Sequence, residues 1–275
     1  GHVFEAYFNG LISSVYKAIE RNLSKKTDAI IALSDRQRMD LVKRFRVCSD
    51  EQTHVIANGF DLSHFQSGMA EKRKSFRKKY ALADDEFAIG IIGRMVPVKN
   101  HAMFVDVVER VSRMYKGKVR FFVVGDGEMS EDTRKRLQQK KISISDRADT
   151  HATVHFTSWQ KKVDEIMAGL DILMLTSLNE GTPVCLIEAQ AANCPVVSTD
   201  VGGIRDIVLD GKTALLSPSQ DVEIMSQNIV KLMNDQLLYQ SMKLHGWEFV
   251  RDRFQYERMV EDVDQLYKRI LKNKG

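Results

Sequence analysis

The sequence predicts an α/β fold, a doubly wound and mostly parallel sheet, from three observations. Short β-branched or apolar runs recur along the chain, amphipathic helical stretches lie between most of them, and the last third closes on helices with few strands. Strand–helix alternation at this pitch places helices on both faces of a parallel sheet.

Taken in order, a helical stretch at Gly10–Lys25 precedes a strand at Ala29–Leu33, a helix at Asp35–Phe45 and a strand at His54–Ala57. The alternation resumes with strand Phe87–Ile92, helix His101–Met114, strand Val119–Val124 and helix Glu131–Lys141. Strand Thr153–Phe156, helix Val163–Ala168, strand Ile172–Leu175, helix Val184–Ala192 and strand Pro195–Thr199 follow. Val201–Leu216 is less regular, with a tight turn at Asp210-Gly211 before a short strand at Ala214–Leu216. Helices at Asp221–Asn234, Gln236–Asp252 and Tyr256–Lys272 complete the chain.

The chain has 275 residues, 43% of them hydrophobic, enough for one large core or two modest ones. Its 41 basic and 37 acidic residues leave a net charge of +4, which gives no reason to expect nucleic acid as a partner. Cys48, Cys185 and Cys194 are odd in number and widely spaced, and read as reduced thiols in a cytoplasmic protein. No apolar run is long enough for a membrane span. The opening Gly-His-Val-Phe, without a Met, reads as a piece of something longer.

A seam is expected near residues 58–77, where Asn58-Gly59 ends a strand and Glu71–Lys79 (EKRKSFRKK) forms a basic run. That run reads as a solvated helix face, with contact to an anionic membrane surface as the alternative. Residues 1–70 hold too little sheet for an independent doubly wound domain. Residues 71–252 supply a complete one, and 253–275 a closing helix.

Ligands on such sheets bind beyond the carboxyl ends of the strands, where strand order reverses. Three loops therefore matter. In the first, Gly93 permits close backbone approach, while Arg94 and Lys99 bring two cations to a short loop before a helix, suited to a diphosphate. In the second, Gly125 and Gly127 either admit a phosphate or base to the backbone or only make a tight turn. The third is Ser177–Pro183, which carries Glu180, with Glu188 following on an apolar helix. Two carboxylates directed into one crevice suit a ligand rich in hydroxyls. The dinucleotide fingerprint G-x-G-x-x-G is missing.

Gly93-Arg94 with Lys99, the E-G-x-P-x-x-x-x-E frame from Glu180 to Glu188, Pro195–Val197 and Gly202-Gly203 resemble the donor half of a retaining, two-domain GT-B glycosyltransferase of the large bacterial group 1 family, GT4. The resemblance covers residues 85–250. Residues 27–60 resemble the end of that family's acceptor domain, and Tyr256–Lys272 the helix that crosses back onto it. It implies transfer of a hexose-type sugar from a nucleotide-diphosphate donor, UDP favoured, to a saccharide or lipid-linked acceptor in polysaccharide biosynthesis. No cofactor or metal is implied. Arg94 and Lys99 would bind the diphosphate, and Glu180 would lie against the transferred sugar beside the backbone of Gly181, Thr182 and Pro183. Glu188 would take the ribose hydroxyls, and Thr157–Trp159 would face the nucleobase.

Most of the family's acceptor domain has no counterpart here, and its sugar-contacting histidine falls where the chain begins, beside His2. The expectation is a donor-binding fragment with little activity alone. A face left bare by missing sheet would promote self-association, and a lipid-linked acceptor would bring the protein to the inner membrane surface. Asp262-Val263-Asp264 lies in a helical pattern, and His151 and His155 have no partners to complete a zinc site. Two other classes compete. A non-catalytic nucleotide-sugar-binding module could dispense with Glu180, which is retained. A sugar-nucleotide epimerase needs acid–base residues that the E-G-x-P frame does not resemble.

Overall fold

The computed structural model describes residues 10–272, with side chains from residue 14 onward. In chain order the elements are α1 (Gly10–Ser24), β1 (Ile30–Ala32), α2 (Asp35–Met39), β2 (Thr53–Val55), α3 (Met69–Lys79), β3 (Glu86–Ile92), α4 (His101–Met114), β4 (Lys118–Val124), α5 (Ser130–Gln139) and β5 (Ile144–Ser145). They continue as β6 (Val154–Ser158), α6 (Val163–Gly169), β7 (Ile172–Leu175), α7 (Val184–Ala191), β8 (Val196–Thr199), α8 (Ile204–Ile207), β9 (Ala214–Ser217), α9 (Val222–Asn234), α10 (Gln236–Phe254) and α11 (Tyr256–Lys272).

The expected helix 35–45 is α2 followed by a π-helical turn over Asp40–Arg44. Strand β5 was not expected, because two residues in a polar segment carry no period.

Two compact units form. The first joins the described residues up to Asp61 with those from Asp252 onward. Its strands β1 and β2 pair in parallel. The close of the chain is tied to the turn after β2. The Phe60 amide donates to Phe254 O at 2.8 Å, the Tyr256 amide donates to Phe60 O at 3.1 Å, and Arg258 Nη2 donates to Ala57 O at 2.6 Å.

The second unit, Leu62–Arg251, is the doubly wound domain. Its seven strands run β5-β6-β4-β3-β7-β8-β9, and every pairing is parallel. From β3 the chain moves to β4, passes to the edge strand β5, steps back to β6 between β4 and β5, then crosses to add β7 on the other side of β3. The strand order therefore reverses between β3 and β7. Ile89 and Ile91 of β3, with Phe121 and Val123 of β4, pack in one cluster with Phe104 and Val108 of α4 and Met225 and Ile229 of α9. On the opposite face the Phe122 ring lies 5.1 Å from that of Phe76 in α3. Both faces of the strands are thus apolar, as crossover helices require.

The basic run departs from its expected solvated role. Lys74, Lys78 and Lys79 are exposed, but Arg77 is only 9% exposed. Asp171, immediately before β7, accepts from Arg73 Nη2 at 2.6 Å, Arg77 Nη1 at 3.3 Å and the Ala88 amide at 2.8 Å. Nearby, the buried Arg120 and Glu86 form a two-pronged pair at 2.9 and 3.0 Å. Helix propensity alone does not reveal this, because an arginine on α3 finds its carboxylate 94 residues away.

Cys48, Cys185 and Cys194 are all free thiols. No helix of the described residues is long and apolar enough to cross a membrane.

Asp171→Ala strands two arginines and a strand amide at the base of the sheet. Unfolding free energy is expected to fall by about 3–5 kcal/mol, as when one partner of a buried pair is removed, measured by urea denaturation. A loss below about 1 kcal/mol would show that the arginines simply turn to water.

Candidate functional site

The loops after β3, β4, β7 and β8 meet at the carboxyl ends of the strands, around the point of reversal. They are joined chiefly through backbone. The Gly93 amide donates to Val124 O at 3.0 Å, the Met95 amide to Asp126 O at 2.9 Å, and the Gly125 amide to Ser158 O at 3.0 Å. Across the reversal, the Leu178 amide donates to Val98 O at 2.8 Å, and the Gly203 amide donates to Glu180 O at 3.0 Å.

Glycine is required where this packing is closest. At Gly125 (φ 135°) a Cβ would collide with the Gly93 carbonyl oxygen, and at Gly202 (φ 56°) with that of Glu180. Gly125 and Gly127 also pack closely on the neighbouring loop. Both press on the Gly93–Met95 backbone, and a Cβ on Gly127 would lie 2.5 Å from Met95 O.

On this frame stand the charged side chains. Lys99 ends a 3-10 turn, Pro97–Lys99, and its Nζ donates to Glu180 Oε1 at 2.6 Å. The same oxygen accepts from Ser177 Oγ at 2.6 Å. The two ionised side chains are 17% and 11% exposed, so the pair is largely shielded from water. The Arg94 side chain is exposed and makes no hydrogen bond or ion pair among the described residues, while its carbonyl accepts from the Val96 amide at 3.0 Å. Its fork is free for a ligand.

Helix α7 begins at Val184, after buried Pro183, and no side chain caps its N-terminus. Gly181 and Thr182 line the approach to it, Gly181 exposed and Thr182 half-buried. Glu188 lies on α7 with its carboxyl held above the ordinary value by burial alone, and no cation answers it. Cys185 sits between the two glutamates. Burial pushes its thiol up to about 12, and Lys99, Glu180 and Glu188 all act on it. Of the expected residues, Lys99, Glu180 and Glu188 come together around Cys185, and Gly93 lies beside the Lys99 side chain.

The structure adds residues that the sequence did not single out. Ser177 is fully buried, and Thr176 Oγ1 donates to Lys99 O at 2.9 Å. His101, at the start of α4, is 4% exposed with Nδ1 unpartnered. Burial, and then the nearby Lys99 charge, hold its imidazole down to about 4. The only available signal was proximity: Ser177 precedes Glu180 by three residues, and His101 follows Lys99 by two.

Other candidates fall elsewhere. Thr157–Trp159 lies at the end of β6 beside Gly125, with Trp159 66% exposed. His155 is buried and stacked on Phe122 at 5.5 Å. Asp262 and Asp264 pair with Arg258 and Lys268 along α11. Among the described residues no three His, Cys, Asp or Glu side chains converge as a metal-ligand group. His2 lies outside the described residues. A cavity of about 380 Å³, lined by Arg73, Asn193, Tyr239 and Lys243 among others, opens at the opposite, amino-terminal end of the sheet.

Residues 86–235, more than half of the chain and all four of these loops, match the family model described as "Glycosyl transferases group 1". The chain belongs to this family. Its fold is of the GT-B type. A relative from Escherichia coli, UDP-Gal:alpha-D-GlcNAc-diphosphoundecaprenol alpha-1,3-galactosyltransferase, is 24% identical over 276 residues, covering 100% of this chain and 68% of the relative. The capsular polysaccharide biosynthesis glycosyltransferase CapM of Staphylococcus aureus is 26% identical over 219 residues, covering 78% of this chain but 54% of the relative. The chain thus spans between about half and two thirds of these relatives. Among solved structures, Anabaena Alr3699/HepE in complex with UDP and glucose superposes with a TM-score of 0.78 at 19% identity, over 97% of this chain and 69% of that one. WaaG, a glycosyltransferase involved in lipopolysaccharide biosynthesis, gives 0.70 at 19% identity over 85% of this chain and 61% of that one.

The depressed pKa of His101 has a consequence for this group 1 glycosyltransferase chain. The unfolded chain takes up a proton near the ordinary value of 6.5 that the folded chain refuses until about 4. Stability is therefore complete above 6.5 and falls as pH drops toward 4, by up to about 1.4 kcal/mol per pH unit for this one group. His155, lowered mainly by burial, acts in the same direction. Urea midpoints at a series of pH values measure this slope, and His101→Leu is expected to flatten it. An unchanged slope would place the acid sensitivity elsewhere.

Proposed function

We propose that this chain is the donor-binding part of a retaining, metal-independent glycosyltransferase that moves a hexose from a UDP-sugar to a saccharide or lipid-linked acceptor. The observation that carries the reading is the meeting of Lys99, Glu180 and Glu188 around Cys185 at the uncapped start of α7, with Arg94 on the loop that leads to Lys99. Because the chain spans only part of its relatives, transfer is proposed for the whole protein and donor binding for these residues.

The diphosphate lies between Arg94, Lys99 and the N-terminus of α7. Two cations and a helix dipole favour a dianionic group there. As the bond from sugar to phosphate oxygen breaks, negative charge grows on the leaving diphosphate. With the donor bound, Arg94 and Lys99 lie against the diphosphate and stabilise that charge. Glu180 accepts from hydroxyls of the hexose, with the backbone of Gly181, Thr182 and Pro183 shaping its bed. Glu188 accepts from the ribose hydroxyls. A carboxylate deprived of both water and a counterion gains from two hydroxyl donors. Gly93, Gly125 and Gly127 serve by keeping the loop at Arg94 close to its neighbours.

The choice of UDP is supported by the relatives. The E. coli enzyme is named for UDP-Gal, and HepE is described with UDP and glucose. A lipid-linked acceptor is supported by the diphosphoundecaprenol in the name of the E. coli enzyme. Peripheral contact with an anionic membrane surface, through exposed Lys74, Lys78 and Lys79, would suit such an acceptor.

Calorimetric titration of UDP and GDP into the wild-type chain, Arg94→Ala and Glu188→Ala tests this. UDP is expected to bind the wild type, and each substitution to weaken it by about tenfold or more, in line with roughly 1.5–3 kcal/mol for a charged hydrogen bond. Preference for GDP would change the base, and no binding of either nucleotide would sink the donor reading. Incubating UDP-hexose alone separates the epimerase alternative, which requires an epimer to accumulate.

A further inference from the structure

One oxygen, Glu180 Oε1, accepts two hydrogen bonds of equal length, from Lys99 Nζ and Ser177 Oγ at 2.6 Å each. The two donors differ in mobility. Ser177 is 0% exposed, and its own carbonyl accepts from Thr199 Oγ1 at 2.7 Å, which fixes the backbone beneath the hydroxyl. The backbone of Lys99 is also fixed, because Thr176 Oγ1 donates to Lys99 O at 2.9 Å and to Asn100 O at 3.2 Å. What remains movable is the four-carbon arm that carries the ammonium.

That arm has two claims on it. Glu180 holds it in the structure, whereas the proposed diphosphate would need it in order to bind. A diphosphate carries more charge than a carboxylate and offers more acceptor oxygens to a rotatable ammonium. If Lys99 leaves, Glu180 loses its counterion, and a carboxylate with one fixed donor keeps its orientation where one with none would turn.

We propose that Ser177 is a positioning residue that retains Glu180 Oε1 while Lys99 is exchanged from the carboxylate to the donor's diphosphate, leaving Glu180 Oε2 to accept from a hexose hydroxyl. The inference rests on the donor reading above and adds a step to it. Lys99 is not idle before the donor arrives, and binding costs the protein an ion pair. Glu180 therefore opposes the nucleotide diphosphate and supports the sugar attached to it.

Calorimetry with UDP and with the UDP-hexose that the wild type binds best (UDP-glucose, UDP-galactose or UDP-N-acetylglucosamine) tests the exchange. Glu180→Gln keeps the shape but releases Lys99, and is expected to tighten UDP about three- to tenfold. Ser177→Ala is expected to leave UDP affinity within about twofold and to lower the ratio of UDP-hexose to UDP affinity about fivefold. A purely structural Ser177 would weaken both ligands alike and lower the melting temperature with them.

If Arg94→Ala weakens UDP but Glu180→Gln binds it no more tightly than wild type, the exchange is wrong while the donor site stands. If Ser177→Ala keeps the wild-type ratio, Ser177 does not position the carboxylate. Absence of UDP binding by the wild type overturns this inference together with the donor reading.

Discussion

The Lys99–Glu180 ion pair joins two loops whose parent strands, β3 and β7, are neighbours only because the strand order reverses between them. That seam has a short backbone ladder. β3 matches β4 over seven positions, Glu86↔Lys118 to Ile92↔Val124, but matches β7 only at Ile89↔Ile172 and Gly90↔Leu173. The seam is closed instead by groups beyond the ladder. At the carboxyl end are Lys99–Glu180 and the Leu178 to Val98 backbone bond, and at the amino end Asp171 accepts the Ala88 amide while holding Arg73 and Arg77.

This division of labour sets the two sides of β3 apart. Where strands pair fully, their loops leave in register and pack on one another, as those after β3 and β4 do through Gly93, Met95 and Gly125. Where the ladder is short, the Lys99–Glu180 side-chain pair adds to the Leu178 to Val98 backbone bond in joining the two loops. On the proposed donor reading that pair is both a structural tie and part of the site.

Much of this was legible from residue order. The strands were readable because burial on both faces makes each a short apolar run, and the reversal followed from their alternation with helices. Lys99 and Glu180 could be placed on loops at the carboxyl ends of neighbouring strands because each follows a strand run, and the structure pairs them. Less could be read where the decisive fact is a contact between distant residues. Arg73 and Arg77 sit in what reads as a solvated basic run, and nothing local signals a carboxylate at Asp171. Ser177 and His101 are ordinary polar residues beside more conspicuous charges, and only burial marks them out. The glycines at 125 and 127 were compatible with ligand contact or with chain packing, and sequence cannot separate two uses of the same missing Cβ.

The joining of the strand-end loops by main-chain groups has a further consequence. Amide-to-carbonyl bonds do not depend on which side chains the loops carry, provided the glycines at the closest approaches remain. The frame is therefore independent of most of the side chains around it, so an exposed residue such as Trp159 can be exchanged while the loops that hold Lys99 and Glu180 stay where they are.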